Sequence, residues 1–178
     1  SAVWNYNHDS SYVDQVVALS TSYGVSAPVV GGAYAQGSPQ SVLDNPRIVL
    51  TDLARTDIET GAIDRRVLAV LEALSSRFEL SVSVLKSGHG QYVRDTTSYS
   101  NHYFGRAVDI FAVNGQLVSP LNSAARELTM WLGQFPVEVR PTEVGSPFGD
   151  IVYPGAFSDL YHRDHVHLGF DQKDDGLH

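Results

Sequence analysis

Residues 106–118 read Arg106-Ala107-Val108-Asp109-Ile110-Phe111-Ala112-Val113-Asn114-Gly115-Gln116-Leu117-Val118. A run this rich in β-branched and aromatic side chains predicts a strand. Asn114-Gly115 is the strongest short-range signal for a two-residue hairpin turn, so Leu117-Val118 is expected to pair back on the strand. Alternate residues of a strand share a face. Val108 and Ile110 then point into a core, and Asp109 points the other way with Ala107 and Phe111.

Outward from this hairpin the elements are short. Upstream, Leu80 to Leu85 alternates apolar residues with serine, the pattern of a half-buried strand. Before it, Asp64 is a good N-cap, and Val67, Leu68, Val70, Leu71 and Leu74 recur at helical spacing, predicting a helix to about Arg77. Arg47 to Leu50 reads as a short strand or loop. Ser87 to Ser100 is a polar loop. Downstream, Ala125, Leu128, Trp131 and Leu132 mark a helix over Ser123 to Phe135. Val137 to Val139 is expected as a strand, Pro141 to Ser158 as a Pro/Gly-rich loop, and Val166 to Phe170 as the last strand. Helices and strands in this order, with tight turns, predict an α+β domain: a small, mostly antiparallel sheet with flanking helices.

That domain is expected over residues 45–178. Residues 1–44 read as an arm or linker. Ser10 and Ser11 begin a short helix to about Tyr23, and Gly24 to Gln40 is rich in Gly, Ala, Ser and Pro.

Composition narrows the function. Of the 178 residues, 43% are hydrophobic, enough to bury a core, and 15 glycines with 8 prolines supply loops. Lys and Arg number 12 against 20 Asp and Glu, a net charge of -8. A chain so acidic gains nothing from counterion release on phosphates, so neither nucleic acid nor an anionic membrane surface is an expected partner. No apolar run is long enough to span a bilayer. Cysteine is absent, which excludes disulfides and thiolate zinc sites. Ser1 to Tyr6 carries neither the basic patch nor the apolar stretch of a signal peptide. The chain is expected to be a monomer.

The chemistry lies in two histidine groups. One is Ser100-Asn101-His102-Tyr103-Phe104-Gly105-Arg106-Ala107-Val108-Asp109; the other is His162-Arg163-Asp164-His165-Val166-His167. Two histidines and a carboxylate form a common zinc set that leaves a fourth position open. On the last strand His165 and His167 share a face, with Val166 and Leu168 on the core side. Gly105 lets the chain bend between His102 and the strand, so His102 can return towards Asp109. Polar residues on a sheet face are costly unless something pairs with them, and a metal would. Each residue alone has an ordinary reading as a satisfied polar side chain; the two groups together favour a metal. Rival constellations fit less well. The iron facial triad lacks its usual spacing, the chain is too short for a metal-dependent barrel hydrolase, His-Glu-x-x-His does not occur, and Gly88-His89-Gly90 is no phosphate loop.

The two groups, in this order and separation, resemble the motifs of the zinc D-Ala-D-Ala metallopeptidases, which share a fold and zinc site with lysostaphin-type peptidases and the hedgehog signalling domain. The resemblance covers about residues 45–171. It implies a hedgehog/DD-peptidase fold and zinc held by His102, Asp109 and His167. It places Asp164 as the catalytic carboxylate, His165 lining the site and His162 as a further active-site histidine. The family's Ser-Gly-Tyr-Arg-Ser corresponds here to Ser83-Val84-Leu85-Lys86-Ser87. Lys86 keeps the charge of the arginine and loses its bidentate fork.

The implied function is hydrolysis of peptide bonds in bacterial cell-wall (peptidoglycan) peptides, as a D-Ala-D-Ala carboxypeptidase or an endopeptidase, in an extracellular or wall-associated setting. Zinc would polarise the scissile carbonyl and activate water. Asp164 would move the proton. His165, with Lys86 or His162, would steady the developing oxyanion. Tyr92, Tyr99, Tyr103 and Phe104 are candidate groove walls, and Arg94 is an alternative cation for a terminal carboxylate. His8, His89 and His178 are assigned no role. The rival reading is a non-catalytic zinc-containing module that binds wall peptides or a protein partner.

Overall fold

The strand expected from the opening sequence forms as Ala107–Val113 and is the spine of the sheet. The structure, a computed structural model, describes residues 37–172. The helix expected over residues 10–23 lies outside the described residues. In chain order the elements are α1 Pro39–Leu43, β1 Ile48–Leu50, α2 Asp52–Glu59, α3 Arg65–Ser75, β2 Leu80–Val84, a 3-10 turn Asn101–Phe104, β3 Ala107–Val113, β4 Gln116–Leu117, α4 Ser123–Leu132, β5 Glu143–Gly145, β6 Ala156–Phe157 and β7 Val166–Gly169.

The class is α+β, as expected, with a sheet of order β1-β2-β3-β7-β5-β6 and β4 paired to β3. The sheet is mixed, which corrects the expectation of a mostly antiparallel one. The β1–β2 and β5–β6 pairs are parallel. Parallel neighbours need a crossover, and α2 with α3 supplies it between β1 and β2. Helix α2 is short and polar on most faces, capped by Thr51 accepting from the Ala54 N–H at 3.3 Å. No apolar periodicity announces it, so the crossover was hidden in the sequence.

Two further expectations are corrected. Val137–Val139 is a turn, because the Pro136 carbonyl takes the N–H groups of Val139 and Arg140 at 3.0 and 2.9 Å. The segment 141–158 is more than a loop: it holds β5 and β6, too short to show alternation.

The predicted helices form for the expected reasons. Asp64 caps α3 by accepting from the Arg66 N–H at 2.8 Å. Val67, Leu68, Val70, Leu71 and Leu74 are buried, each contributing about 1.5–3 kcal/mol. Asn122 caps α4, accepting from the Ala125 N–H at 2.9 Å. One face of the sheet joins these helices in a single core. Val108, Ile110, Val166 and Leu168 are fully buried there. Val42 of α1 belongs to the same core. The opposite face of β3 and β7 is thereby left to Asp109 and His167. Among the described residues no helix is long and apolar enough to cross a membrane.

Candidate metal centre

Strand register makes the first contact of the site. In the antiparallel β3–β7 pair, Asp109 stands directly opposite His167, and Asp109 Oδ1 lies 2.9 Å from His167 Nδ1. His102 joins them from the 3-10 turn. Ser100 caps that turn, accepting from the His102 N–H at 3.2 Å. Gly105 ends it at φ +69, a left-handed conformation that favours glycine, and a Cβ there would sit 2.0 Å from the Ala62 carbonyl oxygen. The bend brings His102 Nε2 to 3.2 Å from Asp109 Oδ1 and 3.3 Å from His167 Nδ1. The three residues are buried.

The outer nitrogens are tied away from this point. His102 Nδ1–H donates to the Leu85 carbonyl at 2.6 Å. His167 Nε2–H faces Glu143 Oε2 at 3.4 Å, and Asn101 Nδ2–H donates to the same oxygen at 3.0 Å. These partners fix which ring nitrogen turns inward. Two imidazole nitrogens and a carboxylate oxygen therefore converge, an arrangement that could hold a cation between them. Ligand atoms of a tetrahedral zinc shell stand roughly 3.3 Å from one another; the separations here run from 2.9 to 3.3 Å, the range of direct hydrogen bonds. Nitrogen and oxygen donors of this kind suit zinc.

The electrostatics follow from these contacts. Burial works against charge here, raising Asp109 and lowering His167, but the hydrogen bonds of Asp109 with His102 and His167, and of His167 with Asp109 and Glu143, reverse both effects. The Asp109 carboxyl is held well below the usual range, and His167 is pushed up to about 9. His167, and to a lesser degree Asn101, also holds the Glu143 carboxyl below its ordinary value against burial.

His165 lies on the rim. Its Nδ1 pairs with Asp164 Oδ1 at 2.9 Å, and its Nε2 is 3.8 Å from Asp109 Oδ1. Asp164 is itself 87% exposed and reaches the cluster only through His165. His162 lies beside them, its ring centroid 5.0 Å from that of His165 in a tilted contact and 5.5 Å from that of His167 in an edge-on one. Its Nδ1 meets Asp159 at 2.7 Å, yet burial keeps its pKa below the ordinary histidine value. Gly145 makes room for it, since a Cβ there would lie 2.5 Å from the imidazole.

Lys86 is exposed at the end of β2; its backbone N–H is anchored at 3.0 Å by Asp57, while its ammonium has no hydrogen bond or ion pair among the described residues. Arg94 stacks over Tyr161, 4.9 Å from the ring centroid, and Tyr161 donates to Asp95 at 2.9 Å. This joins the loop before His102 to the segment before His165. Tyr92, Tyr99, Tyr103 and Phe104 form an exposed run of rings with neighbouring centroids 5.0 to 5.8 Å apart.

His89 was missed in the sequence. Its ring stacks on His102 at 4.2 Å, and His89, His102 and Asp109 each bring one ligand atom within 4.8 Å of the others. Its lone setting between glycines in a polar loop carried no spacing signal. Nor did Glu143, whose segment read as a loop. His8 and His178 lie outside the described residues. No family model and no curated protein matches the chain.

Proposed function

We propose that the chain is a zinc-dependent peptidase acting on peptide bonds of bacterial cell-wall peptides, of carboxypeptidase or endopeptidase type, in an extracellular or wall-associated setting. The observation that carries this reading is the convergence of His102 Nε2, Asp109 Oδ1 and His167 Nδ1 within 3.3 Å, with the other nitrogen of each histidine tied outward. The substrate class rests on the sequence resemblance to the D-Ala-D-Ala metallopeptidases and the hedgehog/DD-peptidase fold it implies.

His102, Asp109 and His167 would hold the ion, which when bound supplies Lewis-acid polarisation of a carbonyl and acidification of water. His165 presents a proton acceptor at the rim, its Nε2 3.8 Å from Asp109 Oδ1. Asp164 takes its Nδ1–H, so Nε2 is left free to accept a proton from an approaching water and return it to the departing amine. Asp164 thus acts through His165. His162 lines the same rim; with its Nδ1–H held by Asp159, its Nε2 faces the site as a second acceptor. Lys86 sits where an exposed cation can meet a substrate carboxylate.

Elemental analysis, with purified peptidoglycan as substrate and products read by mass, tests the proposal. About one zinc per chain and peptide-bond cleavage are expected. Protein that neither contains zinc nor can be loaded with it would overturn the reading. Zinc binding without cleavage would leave the binding module.

A further inference from the structure

We infer that Asp57 is a positioning residue for the metal centre, acting on His102 through a single peptide group. The inference rests on the zinc reading above. Asp57 lies on α2, an element that contributes no residue to the cluster, and its carboxylate is buried at 4% exposure. Oδ2 accepts from the N–H groups of Lys86 and Ser87 at 3.0 and 2.7 Å, and Oδ1 accepts from the Ser87 hydroxyl at 2.6 Å. All these partners are donors, the pattern of an ionised carboxylate. None of these partners is a cation.

The N–H of Lys86 and the C=O of Leu85 belong to one planar peptide. The carbonyl end is the acceptor for His102 Nδ1–H at 2.6 Å. A carboxylate bound to the N–H end polarises the peptide and strengthens its carbonyl as an acceptor, as in any hydrogen-bonded chain in a low dielectric. It also locks the orientation of that carbonyl, and with it the ring plane of His102. A stronger acceptor at Nδ1–H makes Nε2 a better ligand. A buried carboxylate costs free energy, and here its hydrogen bonds go to the turn that holds the ligand rather than to a counter-ion.

The test compares Asp57→Asn with Ser87→Ala in the full chain. Asparagine keeps the shape and an acceptor but removes the charge. Alanine removes the hydroxyl contact and leaves the Lys86 N–H bond. Two readouts are taken: the His102 Nδ1–H proton resonance in the metal-free protein, and the affinity for Zn²⁺ alone by chelator competition. Asp57→Asn is expected to move the resonance upfield and weaken zinc binding about tenfold, with Ser87→Ala at wild-type values. An unchanged resonance and affinity in Asp57→Asn would overturn the inference, as would equal losses in both variants, which mean loop packing alone. If Asp57→Asn does not fold, Asp57→Ser, another neutral acceptor, is read in its place with the same outcomes. A wild-type protein that takes up no zinc would sink the peptidase reading and leave the proton resonance to judge Asp57. Zinc binding with a silent Asp57→Asn would sink only this inference.

Discussion

Asp109 and His167 face each other across β3 and β7, their Oδ1 and Nδ1 atoms 2.9 Å apart. The backbone ladder therefore sets one edge of the donor triangle before any metal is present. His167→Ala is expected to abolish zinc retention, measured by elemental analysis after dialysis. In the wild type, chelation should lower the melting temperature and zinc should restore it. Free zinc at a hundred times its Kd stabilises by about 2.7 kcal/mol. An unaltered melting curve on chelation would refute the site.

Glu143 holds the far side of His167. Glu143→Ala frees Nε2–H and lets the ring turn, so zinc affinity should fall about 10–100-fold. Competition with a coloured chelator measures it. Affinity equal to wild type would show that Asp109 alone orients His167.

His165 and Asp164 separate by exposure. His165→Ala should reduce cleavage by about 10² or more with zinc still bound, in line with a general base. Asp164→Asn should cost less, because its solvated carboxylate acts only by orienting His165. A larger loss in Asp164→Asn than in His165→Ala would make the carboxylate the base itself.

Gly105 decides whether His102 can turn back. Its φ of +69 and the Ala62 carbonyl beside it leave no room for a side chain. Gly105→Ala should destabilise the fold by more than about 1 kcal/mol and weaken zinc binding together. Urea unfolding gives the first quantity; wild-type stability would contradict the steric account.

Lys86 is exposed, and its ammonium has no hydrogen bond or ion pair among the described residues. Lys86→Ala should raise KM for peptides ending in a free carboxylate and leave kcat and zinc content unchanged. No change in KM would retire Lys86 and move attention to Arg94.

Much of this was legible in the chain. Val108, Ile110, Val166 and Leu168 announce a core face by alternation, and that alternation alone places Asp109 and His167 on the other side. The spacing of His102, Gly105 and Asp109 encodes the bend. What escaped were elements with little periodicity. Helix α2 carries Asp57 but shows mostly polar residues, and β5 carries Glu143 within three residues. His89 reaches the cluster by ring stacking, a contact that depends on the path of a loop and leaves no mark in local sequence.

The shared register of β3 and β7 has a consequence for how errors appear. A slip of β7 by one residue against β3 would push His167 into the apolar interior and turn Val166 and Leu168 out to water. On the zinc reading, a misregistered chain would thus forfeit its ion and expose apolar surface in the same event. On that reading, zinc uptake during refolding would report directly on whether these strands have zipped in register.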